Sequence, residues 1–369
     1  ASLLLKTLYR LRVLDPGFDV ERVLTMRVAL PEVHYPEDHD ADDFFRELQE
    51  RIETLPGVLS AGFTTAIPIS DWAPNMGVQR DSAPIVPGSA TSSNAQFQWV
   101  SRDYHRVVGQ QLEKGRLFDE GDHTESPPVA IINKRMAREF WGGEDPIGES
   151  FRFVGSSARI VGVVSDVKRF GLDKDAPREV YVPLAQAPGE RVRSVVVRSA
   201  VDPTLIADDL RRVIAALDSR LPVYNLQAMA AVLSDSISGT RFVTLLLSLF
   251  AGAATLLAAV GVYSVVAYSV RQKRGEIGLR MALGAQRRDV LRFVLKQGLT
   301  LTAVGLGIGF VLSLAGSRVL SSLLFEVSAS DPVTFVGVPL VLGVVALAAC
   351  YISARRATKV DPMIALRYE

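Results

Sequence analysis

The residues to try first for metal or general-base chemistry are the four histidines, His34, His39, His105 and His123. None belongs to an H-E-x-x-H pair set one helical turn apart, and His34 and His39 stand in HYPEDHD, an acidic, proline-interrupted run with the composition of a solvated loop. No G-x-x-x-x-G-K-[ST] run is present to cradle nucleotide phosphates, and no G-x-S-x-G elbow raises a nucleophilic serine. The reading is of a non-catalytic chain with no catalytic, cofactor-binding or metal-binding residue.

The charges arranged with most order lie in RQKRGEIGLRMALGAQRRDVLRFVLK, residues 271 to 296, which holds eight Lys or Arg against Glu276 and Asp289. Within it, residues 276 to 284 fit a short helix. Ile277 and Met281 share one face, Glu276 and Arg280 form an (i, i+4) pair, and Gly284 ends the run. Such a helix could serve as a lever on the membrane surface, or its arginines could meet anionic lipid heads. The residues alone leave both uses open.

The elements that must position this loop are apolar. Residues 242 to 270, 297 to 317 and 332 to 354 carry no charge, and about 20 apolar residues suffice to cross a bilayer as a helix. Three crossings are predicted. Short basic loops stay on the cytoplasmic side, so 271–296 is placed inside. Residues 321 to 334 contain Glu326 and Asp331 and no Lys or Arg, whereas Arg355, Arg356, Lys359 and Arg367 follow the third stretch. The order from residue 240 onward is therefore out, in, out, in, with the earlier residues outside. The three stretches contain no Asp, Glu, Lys, Arg or His, which argues against a secondary transporter, whose coupling needs ionisable groups at membrane depth. Gly305 and Gly309 form a G-x-x-x-G that suits either bundle packing or a dimer contact.

A mean hydropathy of +0.21 averages a polar first part with this apolar last part of a 369-residue chain. The net charge of +1, with basic and acidic residues interspersed outside the membrane flanks, argues against a nucleic-acid binder. The single cysteine, Cys350, falls in the third apolar stretch, so no disulfide can brace the outer domain. Ser2 to Leu5 reads as the last turn of an earlier spanning helix, which puts Lys6, Arg10 and Arg12 outside against the charge rule.

For the outer domain, hydrophobic periodicity and turn residues predict an α+β fold. Strands are expected at 23–30, 58–65, 96–101, 128–132, 160–164, 179–183, 194–197 and 222–226. Helices are expected from Asp40, as a cap, through Leu55, and at 103–108 and 134–141. A further helix follows Asp202-Pro203, with Leu205, Ile206, Leu210, Val213, Ile214 and Leu217 as its apolar face. The first two strands and their helix read as a β-α-β unit, residues 66–95 as a long loop or hairpin, and 228–241 as a helix able to run on into the first span.

Several motifs then converge. RGEIGLRMALGA resembles the hallmark of the MacB/FtsX-like ABC transporter permease family, and the closing ARRATKVDPMIALRYE resembles its C-terminal signature. VSRDYHRVVGQQLEKGRLFDEGD, INKRMAREFWGGEDPIGESFRF and RIVGVVSDVKRFGL are similar to successive segments of the MacB-type periplasmic core domain. Within the family the likeness is greatest to the second half of an acidobacterial-type duplicated permease. His105 stands where relatives commonly have an aromatic residue.

The resemblance implies an α+β periplasmic domain of MacB type followed by an all-α transmembrane bundle, with a fourth span before residue 1. The expected boundaries are 1–12 for the end of that span, 13–238 for the periplasmic core domain and 239–369 for the permease domain with its coupling loop 271–296. It further implies a multi-pass protein of the bacterial inner membrane. Its partners would be membrane lipids, a cytoplasmic ABC ATPase on a separate polypeptide, and a second permease unit as dimer or duplicated half. A periplasmic adaptor is a further candidate partner. Arg274, Glu276, Ile277, Arg280, Met281 and Gly284 would form the ATPase-coupling helix. The implied function is export of an amphipathic cargo, such as a drug, peptide or lipoprotein, by transmitted motion. The alternatives are a non-transporting regulator that activates a periplasmic hydrolase and an anchored outer binding domain with no motor.

Overall fold

The computed structural model describes residues 14–69, 73–81, 93–172, 174–236 and 238–273, and scattered helical positions beyond these between 292 and 352. The chain divides into two units, Leu14–Gly239 and a second made of Ala1–Val13 with Thr240–Glu369.

The first unit is built on one eleven-stranded mixed sheet in which every described pairing is antiparallel except β4–β9 and β6–β8. Its layered half contains β1 (Val23–Ala29), α1 (Asp38–Glu53), β2 (Val58–Thr64), β10 (Val192–Ser199), α4 (Ala207–Leu217), β11 (Tyr224–Ala228) and α5 (Met229–Ser236). The strand order is β11-β1-β10-β2. Leu24, Met26, Val28, Val195 and Val197 alternate onto one face, where they pack with Phe45, Leu48 and Ile52 of α1 and Leu210 and Ile214 of α4. Val23 and Val196 point to the other face and meet α2 (Tyr104–Val108) and α5 through Tyr104, Val107, Met229 and Val232. Period-two alternation with apolar residues on both faces is what a sheet covered on both sides requires.

The ring half contains β3 (Asn75–Arg80), β4 (Ser93–Val100), β6 (Val129–Asn133), β7 (Ser150–Phe153), β8 (Ser156–Val164) and β9 (Glu179–Pro183). The order β4-β3-β7-β8-β6-β9 closes on itself, because β9 also pairs in parallel with β4 over Gln96–Val100 and Glu179–Pro183. Closure satisfies strand edges that would otherwise be open. β5 (Leu112–Gly115) adds to β8 outside the ring. Phe97, Ile132, Phe151, Ile160 and Val180 form this half's core with Met136 and Trp141 of α3 (Lys134–Trp141). Asn133 caps α3 by accepting from the Met136 N–H at 3.1 Å, and Gly142 ends it in the left-handed region at φ 59°.

Several sequence-based expectations need correction. α1 starts at Asp38, not at Asp40. Asp40 sits one turn inside, where its carboxylate accepts from the Glu37 N–H at 3.1 Å. β1 and β2 run in the same direction but are not neighbours, since β10 pairs with both, so the β-α-β unit is split. After Asp202, which accepts from the Thr204 N–H at 2.9 Å, the chain makes a 3-10 turn over Pro203–Ile206 before α4. That extra turn rotates Leu205 off the apolar face, leaving it 71% exposed. Of the two readings of 66–95, by contrast, the hairpin holds, since β3 within it pairs antiparallel with β4.

In the second unit, α6 (Ser238–Gln272) is 35 residues long. Its stretch Arg241–Ser269, 29 residues whose most apolar 18 reach a mean hydropathy of 2.3, is among the described residues the one helix long and apolar enough to cross a membrane. Phe242, Leu245, Leu249, Phe250, Leu256, Leu257 and Val260 along it are exposed. Ser248 and Thr255 each donate to the carbonyl four residues earlier, at 2.7 and 2.8 Å. Their hydroxyls are therefore satisfied within the helix, as a lipid environment demands.

Candidate functional site

The six residues expected to couple to an ATPase, Arg274, Glu276, Ile277, Arg280, Met281 and Gly284, lie outside the described residues. What the structure does give is where the loop begins: α6 ends at Gln272, at the head of the basic run. No group of three or more His, Cys, Asp or Glu able to hold a metal ion occurs among the described residues. His34 and His39 sit in the exposed segment before and at the start of α1, and His123 in the exposed turn before β6.

The outer domain's distinctive feature is the junction of its two halves. Strand pairing between them is limited to Thr64 opposite Val100. Two backbone bonds flank that bridge, Thr65 N–H to the Trp99 carbonyl at 3.0 Å and Ser101 N–H to the Phe63 carbonyl at 2.9 Å.

A buried chain of side chains runs beside the bridge. The Gln98 amide Nε2 donates to Glu179 Oε1 at 3.1 Å, Arg169 Nε donates to the same oxygen at 2.5 Å, and the Tyr181 hydroxyl donates to Oε2 at 3.0 Å. Gln110 Nε2 reaches the Tyr181 hydroxyl at 3.2 Å and the Ser165 carbonyl at 2.7 Å, while its Oε1 faces His105 Nδ1 at 2.9 Å. Arg169 and Glu179 are fully buried as an ion pair. Burial works against the Arg169 charge, but the Glu179 carboxylate prevails and holds its pKa above the ordinary value. Burial, and then the same carboxylate, push the Tyr181 hydroxyl well up. Such a pair contributes little net stability after desolvation, yet losing one partner strands the other charge in the core.

Asn133 supports this cluster. Its Oδ1 accepts from Met136 and Glu179 backbone N–H groups, and its Nδ2 donates to Asp166 Oδ1 at 2.7 Å and the Pro177 carbonyl at 2.8 Å. Burial raises the Asp166 pKa despite the Arg135 N–H bond and the neighbouring cations. Asp166 also lines a cleft of about 750 Å³ together with Asp15, Asp19, Arg106 and Arg198. Arg198 Nη1 meets Asp19 Oδ2 at 2.7 Å, and its Nε donates to the Val107 carbonyl at 2.9 Å. Burial opposes ionisation of Asp19. The Arg198 bond, the Glu21 N–H and nearby positive charge outweigh it and lower the pKa. Arg169 thus pairs with Glu179, and Arg198 with Asp19.

Sequence reasoning missed Arg169 and Glu179. Charged residues in the polar runs DVKRFG and APREVY read as solvated, and only the pairing of distant strands puts them in the core. His105 likewise gave no functional signal in the sequence. It packs edge-on to Tyr104 and Tyr181, with ring centroids at 5.4 and 4.8 Å.

Comparison with known proteins places this arrangement. The MacB-like periplasmic core domain profile matches residues 35–213, and the FtsX-like permease C-terminal profile matches residues 248–362. The macrolide export ATP-binding/permease protein MacB of Bdellovibrio bacteriovorus is 28% identical over 291 residues, 75% of this chain and 44% of that protein. The pyoverdine export ATP-binding/permease protein PvdT of Pseudomonas aeruginosa is 28% identical over 274 residues, 72% of this chain and 41% of that protein. The uncharacterized ABC transporter permease YknZ of Bacillus subtilis is 26% identical over 283 residues, 75% of this chain and 71% of that protein. This chain thus spans less than half the length of the first two relatives. It belongs to the MacB/FtsX-like family of ABC transporter permeases. Permeases of this family are inner-membrane proteins with a periplasmic domain, and they work with a cytoplasmic ATPase.

Proposed function

We propose that this chain is the permease of an ABC-type export or mechanotransmission system, which passes ATP-driven motion of a separate cytoplasmic ATPase outward to its periplasmic domain. The observation that carries this reading is the strongly basic loop 271–296, set between uncharged stretches in a chain of this family. The apolar α6 ending at the head of that loop supports it. On this reading residues 239–369 cross the inner membrane three times and residues 13–238 are periplasmic.

The helix over residues 276–284 seats in a cleft of the ATPase, burying Ile277 and Met281. Arg274, Glu276 and Arg280 make polar contacts at its rim, and Gly284 breaks the helix. Two permease units act together, as a dimer or as halves of a duplicated chain. The cargo is amphipathic, in the range of a drug, a peptide or a lipoprotein. MacB and PvdT are named for macrolide and pyoverdine export.

Reconstitution with the ATPase in vesicles tests the assignment. Cargo should stimulate ATP hydrolysis. Arg280→Glu should abolish that stimulation and co-purification with the ATPase, while leaving insertion and the amount of folded protein unchanged. Stimulation by an external hydrolase and by no cargo would instead favour a regulator of that hydrolase. Unaltered coupling and co-purification in the variant would refute the lever.

A further inference from the structure

The segment entering the outer domain, residues 14–19, touches both halves at once. On the layered side, the Asp19 N–H donates to the Val108 carbonyl at 2.7 Å and the Asp19 carboxylate is held by Arg198 of β10. On the ring side, the Lys168 N–H donates to the Pro16 carbonyl at 3.0 Å. Gly17, at φ 85°, lies so close to the exit of β8 that an added Cβ would stand 2.1 Å from the Asp166 carbonyl oxygen. Between these anchors Phe18 is buried in the cluster that joins Val23 and Val196 of the layered half to Ile131, Val161 and Val164 of the ring half. An Asx turn, Gly17 N–H to Asp15 Oδ1 at 2.8 Å, makes the segment compact.

Three features of the domain coincide here. The halves share one bridging strand pair, the segment entering the domain is anchored to both, and the cleft of about 750 Å³ beside it leaves room for their angle to change. The halves share a buried apolar cluster but exchange one strand pair, so a change of angle between them would turn about that pair, and a link anchored to both sides would set it.

We propose that residues 15–19 are a strap across this hinge: displacement of the chain at Leu14 changes the angle between the layered and ring halves about the Thr64–Val100 bridge. The strap supplies a route by which motion in the preceding segment enters the domain. The proposal rests on the reading of the chain as a transmitter of motion. Its test needs no nucleotide and no ATPase, so its failure and that of the coupling loop are told apart.

Hydrogen exchange of the full chain in detergent, with fragmentation to resolve single amides, tests the strap. Gly17→Ala forces a side chain into the Asp166 carbonyl and detaches the ring-side anchor. Exchange at the hinge amides Thr65 and Ser101 should then quicken about tenfold or more, while the β1–β10 and β6–β8 ladders keep the parent's rates. Acceleration confined to Asp19 and Lys168, with the hinge amides unmoved, would overturn the proposal. Should Gly17→Ala loosen both ladders as well, Asp19→Asn decides. It removes the charge that Arg198 grips and leaves the backbone free to hold its course. Quickened hinge amides over intact ladders then support the strap, and either unmoved hinge amides or loosened ladders overturn it.

Discussion

His105 is an aromatic core residue that happens to be titratable. Its ring is fully buried against Tyr104, Phe118 and Tyr181, and burial pushes its pKa down to about 4 despite the Gln110 bond, which favours the charged form. In the unfolded chain it titrates near its ordinary 6.5. Between those values the unfolded state binds the extra proton, so stability is complete above about 6.5 and declines as the pH falls toward 4. At pH 5 the loss attributable to His105 should be on the order of 2 kcal/mol relative to pH 7.5. The chain's three tryptophans, Trp72, Trp99 and Trp141, all precede α6, so intrinsic fluorescence reports denaturant unfolding of the outer domain. The difference between pH 7.5 and pH 5 should be smaller in His105→Phe by about that amount, and an equal difference in both proteins would show that the histidine is charged in the fold. Residues of this kind are hard to read from a linear sequence. His105 and Glu179 look like solvated polar positions until strands 70 residues and more apart are brought together.

Elements were legible in proportion to how local their signals are. The 134–141 helix, the 179–183 strand and the capped turn at Asp202 appear where the sequence puts them, because caps, prolines and glycines act within a few residues. The two strands missed outright, β5 and β7, are four residues each: β5 is exposed throughout and shows no alternation, and the Ser-Phe-Arg-Phe alternation of β7 is too short to stand out. β5 is held instead by a glycine. Gly115 has φ 73°, and a Cβ there would stand 2.2 Å from the Val161 carbonyl oxygen and 2.9 Å from the Ile147 side chain. Gly115→Ala should therefore cost about 3 kcal/mol, from the left-handed backbone and the forced separation of β5 from β8. Gly142→Ala is the control. It shares the positive φ of 59° but has open space around it, so its cost should be about 1 kcal/mol. Equal losses in the two, measured by denaturant unfolding, would mean that the close approach of β5 to β8 carries no energy.

At the scale of the whole molecule, the division into a folded outer unit and an apolar remainder was the plainest message of the sequence, because charge and hydropathy change together near residue 240. The placement of the strands was not legible, since β10 enters between β1 and β2 from more than a hundred residues away. Orientation is open to direct measurement. With Cys350→Ser removing the one native thiol, Gln286→Cys should react with a membrane-impermeant maleimide in inverted vesicles and stay unlabelled in intact cells with a permeabilised outer membrane. The reverse pattern would turn the protein over. The nesting of one half inside the other also dictates an order of maturation. A chain threaded outward from its amino terminus delivers the first two strands of the layered half early, but their shared neighbour arrives only after all six strands of the ring have emerged. The interrupting module can shut on its own contacts while the interrupted one is still waiting, so the ring half should form first, and a stall in secretion before residue 192 should leave a closed ring attached to two strands with nothing between them.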